Sequence, residues 1–362
     1  MSLLDKKDGA KIEFVYFNSM KYLLILFLFA FCNSHAQTNA AIVNATKNFL
    51  QTLDQEQLKK AQRKFDDTLR YKWSNLPIGL APREGVRYGD LSDKGRIAFH
   101  EMLSAMLSSQ GYLKVTGIMQ LDDVLGIVMD KGIVEKLQWS YNNYFISVWG
   151  TPDEKEYWGF NFGGHHMTLT LTMHGKNVSF TPLFVGTDPS QPQTSQYAGW
   201  RVLSKEEDYG FMLLNSLSKE QQAKAILKQD VPKDIITSPN SSQRITSYYG
   251  ISAKEFNKDQ IEILKILAQE YLHNFEHNIA HGLYDKILKN GFDKVYFAWV
   301  GGTERHTPHY YIINSPDFLI EYDNVGFQND GNHIHAILRE KEGDFGADLL
   351  REHYISSGHH KN

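Results

Sequence analysis

Between Ala40 and Phe65 the apolar residues Ile42, Val43, Phe49, Leu50, Leu53 and Leu58 recur at close to helical spacing, which predicts one amphipathic helix. Tyr71 to Asp90 loses that period and carries Trp73, Pro77, Pro82, Gly85 and Gly89, so it reads as loop. Ser92 to Gln110 is helical again, with Ser92 placed to cap its start and Gly111 its end. Strands are predicted at Tyr144 to Trp149, Trp158 to Phe162, His166 to Met173 and Val178 to Leu183. In the third of these, "MTLTLTM" alternates apolar and polar residues, as a half-buried strand does. His174-Gly175-Lys176-Asn177 makes the turn that follows, and Lys205 to Leu227 returns to helix.

The order then recurs. "YYGISAKEFNKDQIEILKILAQEYLHNF" matches "RYGDLSDKGRIAFHEMLSAMLSSQGYLK" as a Tyr-Gly turn, a capped start and an apolar helix. "VYFAWVGGTERHTPHYYIINSPDFLIEYDNVG" likewise repeats the aromatic strand, glycine turn, histidine-bearing strand, tight turn and third strand. The period is too long for a solenoid. The expected fold class is α+β: two similar halves, 40–205 and 206–362, each a helical layer on an antiparallel sheet. A ligand would then sit in the cleft between them. Two α+β segments can also share such an order by chance.

The leader changes the picture next. Lys21, the apolar run Tyr22 to Phe31 and the small residues before Ala36 have the form of a secretory signal peptide over 1–36. Met20 is an alternative start, and cleavage after Ala36 would leave Gln37 first. The run is too short for a stable membrane anchor. Cys32, the single cysteine, would be removed with it, and bulky Phe31 argues against a lipoprotein site there. The mature chain would then have no thiol, which excludes disulfides, zinc ribbons and thiol catalysis. Net charge is −4 with a pI near 6.4, without the basic excess of a nucleic-acid binder. The expectation is an exported protein, periplasmic or extracellular, acting on a small molecule.

The segments "WGFNFGGHHMTLTLTMHGKNVSFTPLFVGTDP", "GWRVLSKEED", "LIEYDN", "NHIHAILRE" and "DFGADLLREHY" resemble the uncharacterised domain-of-unknown-function family numbered 3500. The resemblance runs from about Trp73 to Tyr354 and implies one coherent unit. It implies no activity.

Histidines supply the candidate chemistry, since imidazole is the commonest metal ligand and titrates near neutrality. His333 and His335, two apart, would share one face of a strand and could share an ion. Glu321 is the expected third metal ligand, with Asp323 as its neighbour on the preceding strand. Such a set suits zinc or iron, and an added histidine would suit copper. His165 and His166, adjacent in a regular strand, would point to opposite faces unless Gly163-Gly164 bends it. They and Arg339 are the expected catalytic residues, Arg339 holding an anionic group of the substrate or else pairing with Asp344. His306 and His309 lie on a glycine-rich turn, and His273, His277 and His281 would stripe one helix face. Arg201 with Glu206 and Glu207 reads as an ion pair at a helix start. No P-loop, dinucleotide fingerprint or Gly-x-Ser-x-Gly appears. The leading expectation is a metal-dependent hydrolase. A copper or iron oxidoreductase, a non-catalytic metal, glycan or small-ligand binder, and purely structural histidines are the alternatives.

Overall fold

The computed structural model describes residues 39–239, 245–326, 328–349 and 351. The expected signal peptide lies outside them. The predicted first helix is two: α1 over 39–51 and α2 (Gln55–Ala61), followed by the short strand β1 (Gln62–Arg63). The break is local chemistry. Thr52 donates its hydroxyl to the Phe49 carbonyl at 2.7 Å, and Asp54 starts α2 by accepting from the Gln57 amide at 2.8 Å. Gln57 returns the bond to the Asp54 amide, completing a capping box.

β2 (Val86–Arg87) leads to α3 (Asp93–Met106), which Ser92 caps as expected. Gly111 does not end this helix. α3 stops at Leu107, and Ser108 opens α4 (Ser109–Val128) by accepting from the Gly111 amide at 3.1 Å. Gly111 instead lets α4 touch the chain at Asn274, where a Cβ would lie 1.8 Å from the carbonyl oxygen. α4 is buried on several sides through Lys114, Val115, Ile118, Leu121 and Val124, so it shows no apolar stripe. α5 (Lys131–Leu137) follows.

Next come β3 (Phe145–Trp149), β4 (Trp158–Gly163), β5 (Met167–His174), β6 (Asn177–Ser179) and β7 (Leu183–Thr187). α6 (Ser204–Ser216) and α7 (Lys219–Ala225) replace one predicted helix, because Ser218 and Gln221 form a second capping box. After β8 (Ile251–Ser252), α8 (Lys258–Leu272) and α9 (His277–Asn290), four strands complete the chain: β9 (Tyr296–Gly301), β10 (His309–Asn314), β11 (Phe318–Asp323) and β12 (Ile334–Glu340). No helix of the described residues is long and apolar enough to cross a membrane.

The strands form one twelve-stranded sheet in the order β1-β3-β4-β5-β7-β12-β11-β10-β9-β8, with β2 added to β3 and β6 to β5. The class is α+β, as expected, and the sheet runs without a break from the first half into the second through the antiparallel pair β7–β12. One face carries Phe160, Leu169, Leu171, Val185, Trp299, Tyr311 and Leu338 into the main core, together with Phe99, Ile118 and Leu267 from the helices. The other face of β5 carries Thr168, Thr170 and Thr172, and these too are buried. The half-buried reading of β5 fails because loops cover its polar face: Arg70 donates to Thr172 Oγ1 at 3.2 Å, and a Cβ on Gly346 would come within 2.6 Å of the Thr172 side chain. On this second face β5 and β12 begin while β7 and β11 end, all at one end of the sheet's central strands.

Candidate metal centre

At that end of the central strands four histidines meet. Gly164 N–H donates to Met167 O at 2.9 Å, closing a hairpin in which Gly164, His165 and His166 connect β4 to β5 and the two histidines form its tip. They are therefore outside the strand, and the rule that adjacent strand residues face opposite ways does not bind them. Their rings lie 3.6 Å apart, centroid to centroid. Gly164 lets the turn pass close to Tyr144, where a Cβ would sit 2.6 Å from the ring. His333 lies just before β12 and His335 within it, opposite Asp323 on β11 and Gly186 on β7.

Three imidazoles converge through their Nε2 atoms. His166 Nε2 is 3.1 Å from His333 Nε2, which is 3.1 Å from His335 Nε2. Their other nitrogens face carboxylates. His166 Nδ1 is 2.9 Å from Asp122 Oδ1, His335 Nδ1 is 2.9 Å from Asp234 Oδ1, and His333 Nδ1 is 3.4 Å from Asp188 Oδ2. An ionised carboxylate only accepts hydrogen bonds, so these Nδ1 atoms carry the hydrogen and the Nε2 atoms present lone pairs. Imidazole nitrogens 3.1 Å apart need a proton or a cation between them; a proton on His335 serves only the His333–His335 pair, whereas a cation among them satisfies all three. The separation suits ligands at the 2.0–2.1 Å of a metal–imidazole bond. Carboxylate partners on the far nitrogen are the usual support of ligating histidines, because they fix the tautomer and raise basicity.

The elements position these groups by what they omit as well as what they carry. Gly186 sits between the two strands that bring His166 and His335. A Cβ on it would lie 3.1 Å from His166 Cδ2, 3.0 Å from His335 Cδ2 and 2.7 Å from Ile334 O. Gly326, at φ +53°, passes so close to His333 that a Cβ would reach 2.4 Å from that of the histidine. Asp122 comes from α4, fully buried; it accepts from the Tyr144 hydroxyl at 2.7 Å and also lies 3.3 Å from His165 Nδ1.

Burial lowers the pKa of His165, takes His166 down to about 3 and holds His333 well below the imidazole range, so all three are neutral, the form that ligates. His335 differs: burial opposes its charge, but the hydrogen bond and charge of Asp234, aided by Asp323 and Asp188, raise its pKa. Burial would raise Asp122, yet its bonds to His165 and His166 hold it well below the carboxylate range. Asp188 is pushed up to about 7 by burial and by Asp330, and burial takes Asp323 to about 7 against the pull of His335. Asp323 Oδ2 is buried without a hydrogen-bond partner among the described residues. An added cation would stabilise both carboxylates in their charged form.

Two cavities open on the group. One, of about 760 Å³, is lined by His165, His333 and His335 with Asn75, Lys233, Asp234 and Asn329. The other, of about 400 Å³, reaches His165, His333 and Asp188.

Of the expected residues, His165, His166, His333 and His335 are brought together. Glu321 stands apart, two residues along β11 from the one opposite His335. It accepts from the Ile236 amide at 2.6 Å, the Thr237 amide at 3.0 Å, the Thr237 hydroxyl at 2.5 Å and the Tyr310 hydroxyl at 2.8 Å. Four bonds inside the fold make it a structural carboxylate, and the acids beside the imidazoles are Asp122, Asp188, Asp234 and Asp323. Arg339 is held by Asp344 at 2.5 Å and by the Thr237 carbonyl at 2.8 Å, and its guanidinium lies over the Trp73 ring. It lines neither cavity at the centre. His273, His277 and His281 do not stripe one helix, because α8 ends at Leu272 with His273 as its cap and α9 begins at His277. His309 is not on the turn but opens β10, buried and stacked on Trp299 at 4.6 Å and on Tyr322 at 5.4 Å. Arg201 pairs with Glu207 and Asp208, whereas Glu206 pairs with Lys114 at 2.7 Å.

Asp122, Asp188, Asp234 and Gly186 were missed. Asp188 and Gly186 lie in the segment Gly186-Thr187-Asp188-Pro189, a visible turn signal; α4 gives no comparable mark for Asp122.

A family described as "Protein of unknown function (DUF3500)" matches residues 35–347. No curated protein and no solved structure matches the chain.

Proposed function

The chain belongs to the DUF3500 family, and we propose that it is an exported metal-dependent hydrolase centred on His166, His333 and His335. The observation that carries this reading is the convergence of three Nε2 atoms, each imidazole backed at Nδ1 by a different aspartate. Three protein ligands beside an open cavity leave a coordination position for water or substrate, as catalytic sites do. A divalent ion held by these three imidazoles would supply a water acidified toward neutrality and would polarise the bond to be cleaved.

The chain's own residues do the rest. His165 borders both cavities and shares Asp122 with His166, which places a neutral imidazole beside the reacting position as general base. Asp188 lines the smaller cavity beside His333 and, held charged by a bound cation, orients that imidazole, while the proton taken up by His165 can return to the leaving group. Arg339 has no part in this reading. Export is supported by the leader pattern over 1–36 and by a family match that starts at residue 35. The repeated element order supports descent from two related halves, whose meeting strands β7 and β12 flank the centre.

The all-imidazole ligand set also fits copper or iron, so the metal decides between hydrolysis and redox chemistry. The test is turnover of ester, amide and phosphoester panels by purified protein, after chelation and after reloading with zinc, copper or iron. Zinc-restored hydrolysis supports the reading. Oxidation restored by copper or iron alone, with no hydrolysis under any metal, overturns it.

A further inference from the structure

The smaller cavity narrows the substrate class. Its wall is aliphatic and aromatic: Leu80, Leu125, Val128, Ile133, Trp139 and Pro189. Three of these are large apolar side chains left open to solvent, Leu80 at 51%, Val128 at 43% and Ile133 at 43%. Such exposure costs free energy unless something covers the surface, and here it frames the mouth of a pouch of about 400 Å³ that ends at His165, His333 and Asp188. The charged groups lining it are Asp188 and Asp330; among the described residues no lysine or arginine does. Lys233, Asn75 and Asn329 line the larger cavity instead, on the other side of the shared residues Pro77, His165 and His333.

We infer that the substrate is an uncharged amphiphile: an apolar arm seated in the Leu80–Ile133–Trp139 pouch, a neutral carbonyl-type group at the histidines, and its polar remainder in the larger cavity. This rests on the proposed hydrolytic centre but is read from different residues. An anionic arm is disfavoured because it would enter beside Asp188 and Asp330 without a cation to meet it.

The test is binding of primary alkanamides from acetamide to octanamide to the metal-replete protein, by calorimetry. Affinity should rise about fourfold per methylene until the pouch is filled. Ile133→Asp and, separately, Leu80→Asp, both at exposed positions, should flatten that rise by at least tenfold at octanamide while metal stoichiometry stays at the wild-type value. Asp330→Asn should tighten octanoate and leave octanamide unchanged. Affinity independent of chain length, or a rise that persists in both aspartate variants, overturns the pouch assignment. An unchanged octanoate affinity in Asp330→Asn overturns the charge argument. Loss of metal in the wild type, with the chain-length dependence intact, would sink the hydrolytic centre and leave the pouch standing.

Discussion

Gly186→Ala is the sharpest probe of how the fold builds the centre. The methyl group would meet His335 Cδ2 at 3.0 Å and His166 Cδ2 at 3.1 Å, where ordinary contact begins at 3.4 Å. Each ring must therefore retreat by about 0.3–0.4 Å, beyond the ~0.2 Å within which a metal site keeps its bond lengths. The third neighbour, Ile334 O at 2.7 Å, is backbone on β12 and moves only by spreading the β7–β12 pair. Gly186 has no left-handed φ, so alanine is excluded by space and not by backbone conformation. Overpacking of this size costs about 1–3 kcal/mol of stability. Displacing two of three ligands should weaken metal binding by about 10–100-fold. The assay is competition against a chromogenic chelator, with the melting temperature of the metal-free variant measured beside it. A variant that is destabilised yet binds metal as wild type does would refute the reasoning, because the glycine would then serve packing alone.

Other substitutions separate the roles assigned above. Asp234→Asn removes the charge that orients His335 and should weaken metal binding about 10–100-fold with little change in the melting temperature, measured by the same competition. Glu321→Gln should do the reverse: it disturbs the bonds to Thr237, Ile236 and Tyr310, costs about 1–3 kcal/mol in urea denaturation, and leaves metal stoichiometry intact. Glu340 is raised to about 7 by burial, with Asp348 and Asp344 adding to the shift against Lys286. Its folded-state pKa lies above the unfolded value, so its contribution is present below about pH 4.5 and is lost as pH rises through about 7. Glu340→Gln should therefore melt higher than wild type at pH 8, by an amount on the order of 1–3 kcal/mol, and lose that advantage at pH 4; equal differences at both pH values would contradict the assignment.

How much of this was legible in the sequence differs from residue to residue. The spacing of His333 and His335 pointed to their convergence through the strand period of two, and it holds although His333 lies just before β12. The double glycine before His165 warned that strand alternation could fail there, and the hairpin is where it does. Glu321 and Asp323 could not be told apart by pattern, since two residues apart they share a face; only the register, with Asp323 opposite His335 and Glu321 opposite Ile337, chooses between them. Asp122 was hidden because α4 is buried on several sides and shows no periodic stripe. Asp234 arrives from a loop far along the chain, which no local pattern reports. α1 with α2, and α6 with α7, were each read as one helix because Asp54 and Ser218 are caps inside stretches whose apolar period continues past them, while α4 and α5 were not read at all.

Elemental analysis of the purified protein after growth in metal-replete medium tests the central claim most directly. The account predicts one transition-metal ion per chain, retained in Glu321→Gln and Arg339→Ala and lost in His166→Ala, His333→Ala and His335→Ala. A wild-type protein that carries no stoichiometric metal and takes up none on titration, or an ion that survives all three histidine substitutions, would contradict it.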